Sequence, residues 1–465
     1  MHGILGGGLS GLAAAYYLLK TSQPVKLFEA SQRLGGWIRS SRTESGHIFE
    51  HGPRTIRPKG EQGENTLQLI SELGLSQRVV PIPFNHPAAQ NRMIYVNKHL
   101  YTLPSSFLSL VLVKPPFTKP LISALLHDLR APKKAGSDES IYDFVQRRLG
   151  QELADYAISP MICGICAGDA KQISVKFLMK SLYEAEQEHG SIIGGMLKNM
   201  WMNRGSKKKA KNKNELCERA KKEKWSVYSL QGGLELLPQT LEEQIRSLNG
   251  SIMLNAPCEN ITFVDSKTVS VKSRGRDFIV QKLISSIPAP KLAPLLQKQH
   301  PELSKELAAI PFVTVGVVNL QYPGKLVKKD AFGFLVPPSQ NIPILGVIFD
   351  SCCFPSADNT LLTVMMGGHW FEKQFGRNPS RADLLNIATS QVKSILGISD
   401  KPQNSCVSIL KDCIPQYVLG HHDRVKRIRD YISAKKLPLA VIGASYDGVG
   451  VNDVILSARR AAENV

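Results

Sequence analysis

Ile4-Leu5-Gly6-Gly7-Gly8-Leu9-Ser10-Gly11, inside the stretch Gly3 to Ser40, decides the fold. A short apolar start runs straight into G-x-G-x-x-G, with Gly6, Gly8 and Gly11 in the three glycine slots. Leu12 to Lys20 is rich in Ala and Leu and reads as a helix; Val25 to Phe28 reads as a second strand, ended by Glu29. That order describes a strand, a tight turn and a helix whose positive N-terminal end faces a pyrophosphate. Gly6 permits the turn, Gly8 lets a diphosphate approach the backbone, and Gly11 lets helix and strand pack closely. Glu29 is placed to accept hydrogen bonds from ribose hydroxyls. The expected class is α/β, with a Rossmann-like dinucleotide domain.

The residues after Glu29 narrow the choice of dinucleotide. Arg33-Leu34-Gly35-Gly36-Trp37-Ile38-Arg39-Ser40 adds a second glycine pair and two cations just past the ribose acid. An NAD domain does not need them, whereas an extended FAD diphosphate runs past such a loop. Gly52-Pro53-Arg54 is a rigid turn presenting a cation, suited to a diphosphate or a flavin ring edge. Near the other end, Leu437 to Gly443 reads as a strand, and Gly443 to Asp453 as a second glycine-rich turn opening a helix over Val454 to Ala462. Backbone N–H groups at that helix start can hold the pyrimidine edge of a flavin.

The chain of 465 residues allows two or three domains and a sizeable core. Its formal charge of +19 favours nucleic acid, anionic lipid or an acidic substrate. No nucleic-acid module is visible, so lipid and substrate lead. Eight cysteines are too sparse for a disulfide scaffold, and Cys163 and Cys166 read as buried thiols rather than a redox or metal pair. The first strand starts at the N-terminus, which leaves no room for a cleaved leader. No apolar run reaches the roughly 18 residues a membrane span needs.

Between the two glycine turns the pattern changes. Leu103 to Arg130 holds apolar runs punctuated by Lys114-Pro115-Pro116 and Lys119-Pro120. It suits an interfacial patch, a greasy substrate tunnel or a plain buried helical subdomain. Lys207 to Lys213 reads as a solvated loop. Trp225 to Leu234 reads as strand and glycine turn, and Lys282 to Ser286 as a strand returning to the first sheet. Thr314 to Leu320, Phe332 to Val336, Leu345 to Phe349 and Leu361 to Met366 suggest a separate, mixed sheet bearing the substrate. The expected division is 1–85, 225–272 and 410–465 for the dinucleotide; 86–96 and 273–409 for the substrate; and 97–224 as a helical, membrane-associating insertion.

Taken together, Gly6 to Gly11, Arg33 to Ser40, Phe49 to Arg54, Gln231-Gly232-Gly233-Leu234 and Gly443 to Asp453 resemble the flavin amine-oxidase superfamily. Pro87 to Arg92, Ile414 to His421 and Gly443 to Tyr446 are similar to its porphyrinogen-oxidising branch of the animal mitochondrial type. The resemblance spans nearly the whole chain. It implies one noncovalent FAD per chain and oxidation of protoporphyrinogen IX to protoporphyrin IX, with O2 as oxidant and H2O2 as product. It also implies peripheral attachment to the mitochondrial inner membrane on its intermembrane-space side. A homodimer and docking with ferrochelatase are compatible with it.

Carried over by position, Arg92 would pair with a substrate propionate, while Phe332, Gly333, Leu335 and Met365 would line the macrocycle pocket. The cofactor would be held by Gly6, Gly7, Gly8, Leu9, Ser10 and Gly11, by Glu29, Ala30, Arg33 and Trp37, and by Gly52, Pro53, Arg54, Thr55 and Cys258. Ala444, Ser445, Val449, Gly450 and Val451 would complete it. His51 and Thr55 depart from the family, which more often has an apolar residue and a glycine there. No catalytic side chain or metal site is expected, because the flavin accepts the hydride. Amine or polyamine oxidase, carotenoid desaturase and a non-enzymatic escort of the GDP-dissociation-inhibitor type stand as alternatives.

Overall fold

The first strand and helix set the layout. In the computed structural model, which describes residues 1–104, 107–134, 136, 138–202, 214–354 and 358–465, His2–Leu5 lies at the centre of a five-stranded parallel sheet. The order is Leu439–Val441, Lys282–Ser285, His2–Leu5, Val25–Phe28, Ser251–Met253. Chain order reverses on either side of His2–Leu5. A ligand in such a sheet binds at the carboxyl ends of the strands, at this switch point.

Helix Leu9–Lys20 follows directly and is buried almost all round, from Leu9 to Tyr16 and at Leu18 and Leu19. It packs between helices Leu236–Ser247 and Val451–Glu463. That explains its composition: the small residues Gly11 and Ala13 to Ala15 let neighbours approach on every side. A methyl group at Gly11 would overlap the Gly6 carbonyl oxygen, and one at Gly6 would sit 2.7 Å from Ser286 Oγ.

Two compact units divide the chain: Met1–Pro83, Asn214–Pro311 and His422–Val465 form one, Phe84–Lys213 and Phe312–His421 the other. These boundaries fall elsewhere than those expected. Lys282–Ser285 pairs with His2–Leu5, as a strand returning to the first sheet, although it lies inside the 273–409 range expected to carry the substrate. Asn404–Pro415, whose tail is expected with the dinucleotide part, pairs with Phe312–Pro323. Short apolar strands look alike in any sheet, and only pairing distinguishes them.

The second unit is built on a seven-stranded sheet. Its order is Asn404–Pro415, Phe312–Pro323, Asn359–Gly368, Gly346–Phe349, Gly333–Leu335, Arg92–Val96, His99–Thr102. Every pair is antiparallel except Gly333–Leu335 with Arg92–Val96. One face carries an apolar core of Met93, Val318, Leu320, Phe334, Val347 and Val364, closed by Leu384, Ala388 and Val392 of helix Arg381–Leu396.

The helical part of this unit turns on a buried ion pair. Arg148 and Asp128 are both fully buried, with Arg148 Nε donating to Asp128 Oδ1 at 2.7 Å. Arg148 Nη2 also donates to the Gly190 carbonyl at 3.1 Å, while Asp128 Oδ2 accepts from Ile193 N at 3.0 Å. One pair thereby joins helices Ser123–Arg130, Ile141–Leu149 and Ile192–Met202. Buried Glu186 lies 3.5 Å from Arg148 Nη1 and would keep part of its charge compensated, so Asp128→Ala is expected to destabilise this unit by up to about 3–5 kcal/mol, the cost of breaking a buried pair. Chemical denaturation followed by circular dichroism measures it.

Candidate functional site

The N-terminus of helix Leu9–Lys20 carries no side-chain cap and no acidic residue in its first turn. Its first N–H groups and its dipole are thus left to an anion. Gly8, the extended N-cap, is where that anion has room: a methyl group there would meet only Gly36 Cα, at 3.9 Å. The same addition at Gly36 would meet only Gly8 Cα, at 3.1 Å. Two glycines therefore face each other across a strip of bare backbone. Gly7 has no such freedom, since a methyl would overlap Leu34.

Glu29 closes the ribose end. Its Oε2 accepts from Gly7 N at 2.6 Å and its Oε1 from Ser31 N at 2.8 Å. The carboxylate shapes the glycine loop as well as offering lone pairs beyond it. Exposed Ala30 lies beside it. Asn255 N and Ala256 N donate to the Ser31 and Glu29 carbonyls at 2.9 and 2.8 Å, which ties the approach to Cys258 to this loop. Cys258 is half-buried, its thiol donating to the Asn260 carbonyl, and burial pushes its pKa up to about 12. Whatever Cys258 offers a ligand is therefore backbone and bulk, not a thiolate.

Arg33 behaves differently from the free cation that sequence suggests. Its guanidinium donates to the Leu34 carbonyl at 2.8 Å, to Ile38 at 3.2 Å and to Gly36, and it lies 3.7 Å from Glu235. It staples the second glycine pair into shape. Trp37, 42% exposed, keeps its ring at the surface, and its carbonyl abuts Gly52 so closely that no side chain fits there. Pro53 and Thr55 are half-buried and Arg54 is buried. His51 holds Ser41 Oγ at 2.8 Å, and burial, then the nearby Arg39 charge, lowers its pKa. A neutral imidazole pinning a hairpin explains this departure from the family.

The carboxyl-terminal turn meets the cradle. A methyl group at Gly443 would lie 3.0 Å from Ser10 Oγ. Ser445 Oγ accepts from Ala289 N at 3.1 Å, and Ser457 Oγ accepts from Gly443 N at 3.3 Å while donating to Asp447 at 3.2 Å. Ala444 is half-buried beside them, and Val449, Gly450 and Val451 lead into helix Val451–Glu463. Asn452 Nδ2 donates to the Arg57 carbonyl at 2.8 Å, joining this turn to the Gly52–Thr55 stretch. Cradle, cation turn and carboxyl-terminal turn belong to one unit and are linked by these bonds.

Sequence reasoning missed a clasp. Buried Glu50 accepts from Leu234 N and from Ser40 Oγ, each at 2.7 Å. Glu235 accepts from Ser40 N at 2.9 Å. Gly233, at φ +101°, has no room for a side chain against Ser40. The Gln231-Gly-Gly-Leu motif thus orients the loop beyond Arg33, and a buried glutamate at a strand end was the available signal.

The five expected substrate residues lie in the other unit. Arg92, Gly333, Ile348 and Thr363 form one row across four strands; Ile94, Leu335, Gly346 and Met365 form the next. Strand alternation puts Arg92, Leu335 and Met365 on one face, opposite the core. Phe332 precedes its strand, bonded through its backbone to Asn91 and Phe349 at 3.1 and 3.0 Å, and is not in those rows. Helix Ser159–Cys166 covers part of this face: a methyl group at Gly164 would sit 2.9 Å from Leu335 Cδ2. Its cysteines are free and buried, with Cys166 pushed up to about 12 by burial. Among the described residues no cluster suits a metal ion.

A family model for flavin containing amine oxidoreductases matches residues 9–465. The chain belongs to that family. As a flavin amine oxidoreductase it is an FAD-dependent oxidoreductase, and facing glycines beside an uncapped helix start fit the cofactor's diphosphate. It is similar to protoporphyrinogen oxidase of Bos taurus, 42% identical over 99% of this chain and 97% of that protein. The human protoporphyrinogen oxidase is 41% identical over the same shares. A solved structure from Exiguobacterium sp. 255-15 superposes with a TM-score of 0.79 over 100% of this chain and 98% of its own, at 23% identity. Gly8→Leu tests the cradle: the side chain enters bare space, so the protein should fold with the stability of FAD-stripped wild type yet purify colourless. Visible absorbance and thermal denaturation read both.

Proposed function

We propose that the chain oxidises protoporphyrinogen IX to protoporphyrin IX, consuming O2 and releasing H2O2, with FAD held noncovalently. The observation that carries it is Arg92 in the row next to Leu335 and Met365, on one sheet face. A flat, greasy tetrapyrrole with propionates wants apolar walls and a cation for its carboxylate. The near-full-length likeness to two mammalian protoporphyrinogen oxidases supports the same substrate. FAD, when bound, supplies the hydride acceptor. The protein's own residues orient the macrocycle and exclude water, so no strong general base is required. Ala444-Ser445-Tyr446 contains no cysteine, in keeping with noncovalent flavin. Membership of a flavin oxidoreductase family sets aside the GDP-dissociation-inhibitor alternative.

The same reading places the protein on the mitochondrial inner membrane, at its intermembrane-space side, and gives the helical part the contact. Leu112, Val113, Leu125, Leu126 and Leu129 are all 45% or more exposed, in and beside helices Phe107–Val111 and Ser123–Arg130. Exposed Lys114 and Lys119 flank them. Apolar side chains ringed by cations suit an anionic lipid surface. Among the described residues no helix is long and apolar enough to cross a membrane. The lysine run Lys207–Lys213 lies outside the described residues. Homodimer formation and ferrochelatase docking rest on the family resemblance alone.

Arg92→Ala should raise KM for the porphyrinogen about tenfold or more, the worth of one charged hydrogen bond, with FAD content unchanged. An aerobic porphyrin-fluorescence assay measures it, and oxygen uptake with spermine but not porphyrinogen would replace this reading by a polyamine oxidase. Leu125→Glu with Leu129→Glu should cut binding to cardiolipin-containing vesicles about tenfold or more, since each buried leucine contributes roughly 1.5–3 kcal/mol. Cosedimentation reads it.

A further inference from the structure

A cavity of about 500 Å3 lies in the dinucleotide unit, behind the carboxyl-terminal turn and outside the glycine cradle. Its size falls within the range of small-molecule sites. Ile432, Leu439, Val441 and Leu456 give it an apolar floor, and Lys282, Arg429, Lys436 and Arg460 stand around it. Two carboxylates, Asp447 and Asp453, also line it, but both are engaged. Arg429 Nη2 lies 2.7 Å from each Asp447 oxygen. Asp453 accepts from Gly450 N at 3.1 Å, and burial raises its pKa, which disfavours its charge. Arg460 pairs with exposed Glu61 at 2.8 Å, a surface contact worth little. Lys282 Nζ donates to the Asn464 carbonyl at 2.9 Å, and burial lowers its pKa. The cavity therefore holds a surplus of positive charge.

Its wall also offers backbone donors. Leu439–Val441 is the edge of the parallel sheet. Leu283 N donates to Pro438 O and Ile442 N donates to Ser285 O, so the even-numbered residues face the neighbouring strand. Leu439 and Val441 turn their peptide groups the other way, as alternation in a parallel ladder requires. Cations, outward N–H groups and an apolar floor together describe one ligand chemistry.

We propose that this cavity binds an amphipathic anion, a carboxylate or phosphate on a short apolar tail, and that the flavin turn reads its occupancy. The connection is a chain of bonds. An anion at the rim draws on Arg429, whose guanidinium also holds Asp447. Asp447 accepts from Ser457 Oγ, and Ser457 Oγ accepts from Gly443 N, the residue packed on Ser10 in the cradle. Coupling of this kind is reciprocal: the anion alters FAD affinity by the factor by which FAD alters the anion's.

The test titrates the holoenzyme with decanoate and decyl phosphate by calorimetry, and follows FAD dissociation by flavin fluorescence. Saturable one-to-one binding is expected, with the FAD dissociation constant changed about threefold or more. Lys436→Glu with Arg460→Glu should weaken decanoate at least tenfold at unchanged FAD content, whereas Arg92→Ala should leave it unaltered, separating this cavity from the porphyrinogen wall. Ser457→Ala should keep the binding and lose the flavin response. The site is overturned by no saturable binding up to about 1 mM, by equal binding of decylammonium, or by indifference to the charge reversals. An unchanged FAD dissociation constant with decanoate bound overturns the coupling.

Discussion

The close approach of helix Leu9–Lys20 to the end of strand His2–Leu5 is the constraint on which the rest depends. Gly11 lies so near the Gly6 carbonyl that no β-carbon fits. This contact fixes where the helix starts and leaves its uncapped N–H groups at the carboxyl end of the central strand. Overpacking a well-filled core ordinarily costs about 1–3 kcal/mol because side chains can shift. Here the opposing atom is backbone, which cannot yield without moving the strand. Placement of the diphosphate is thus a packing property before it is an electrostatic one.

Around that contact, buried and half-buried polar side chains act as fasteners. Glu29 holds Gly7 and Ser31, Glu50 holds Leu234 and Ser40, and Arg33 folds back on its own loop. Glu50 satisfies the buried Leu234 N–H, which would otherwise be stranded away from water, where an unmade hydrogen bond costs about 1–3 kcal/mol. A cofactor loop assembled this way is set before the ligand arrives, which lowers the ordering cost of binding.

The second unit uses different means. A mostly antiparallel sheet can leave one face available once the other is packed, and here the packed face is closed by helix Arg381–Leu396. The other face, partly covered by helix Ser159–Cys166, carries Arg92, Leu335 and Met365 in adjoining rows. In the helical part, the Arg148–Asp128 pair joins segments whose outer leucines are exposed. A rigid polar core beneath an apolar surface lets those leucines face outward without loosening the helices that carry them.

By itself, the sequence determined what is local. Glycine spacing, the acid after the second strand, the late glycine turn and the apolar strand runs name an FAD domain and a second sheet, because each depends on backbone freedom or period within a few residues. Tertiary structure alone decided what depends on pairing. It put Asn404–Pro415 in the second sheet, bound Arg33 to the carbonyls of its own loop, and set Gly443 against Ser10. The strand pairing and the Gly443–Ser10 contact join residues far apart in the chain, and partners there follow from strand register and packing, which no local pattern carries.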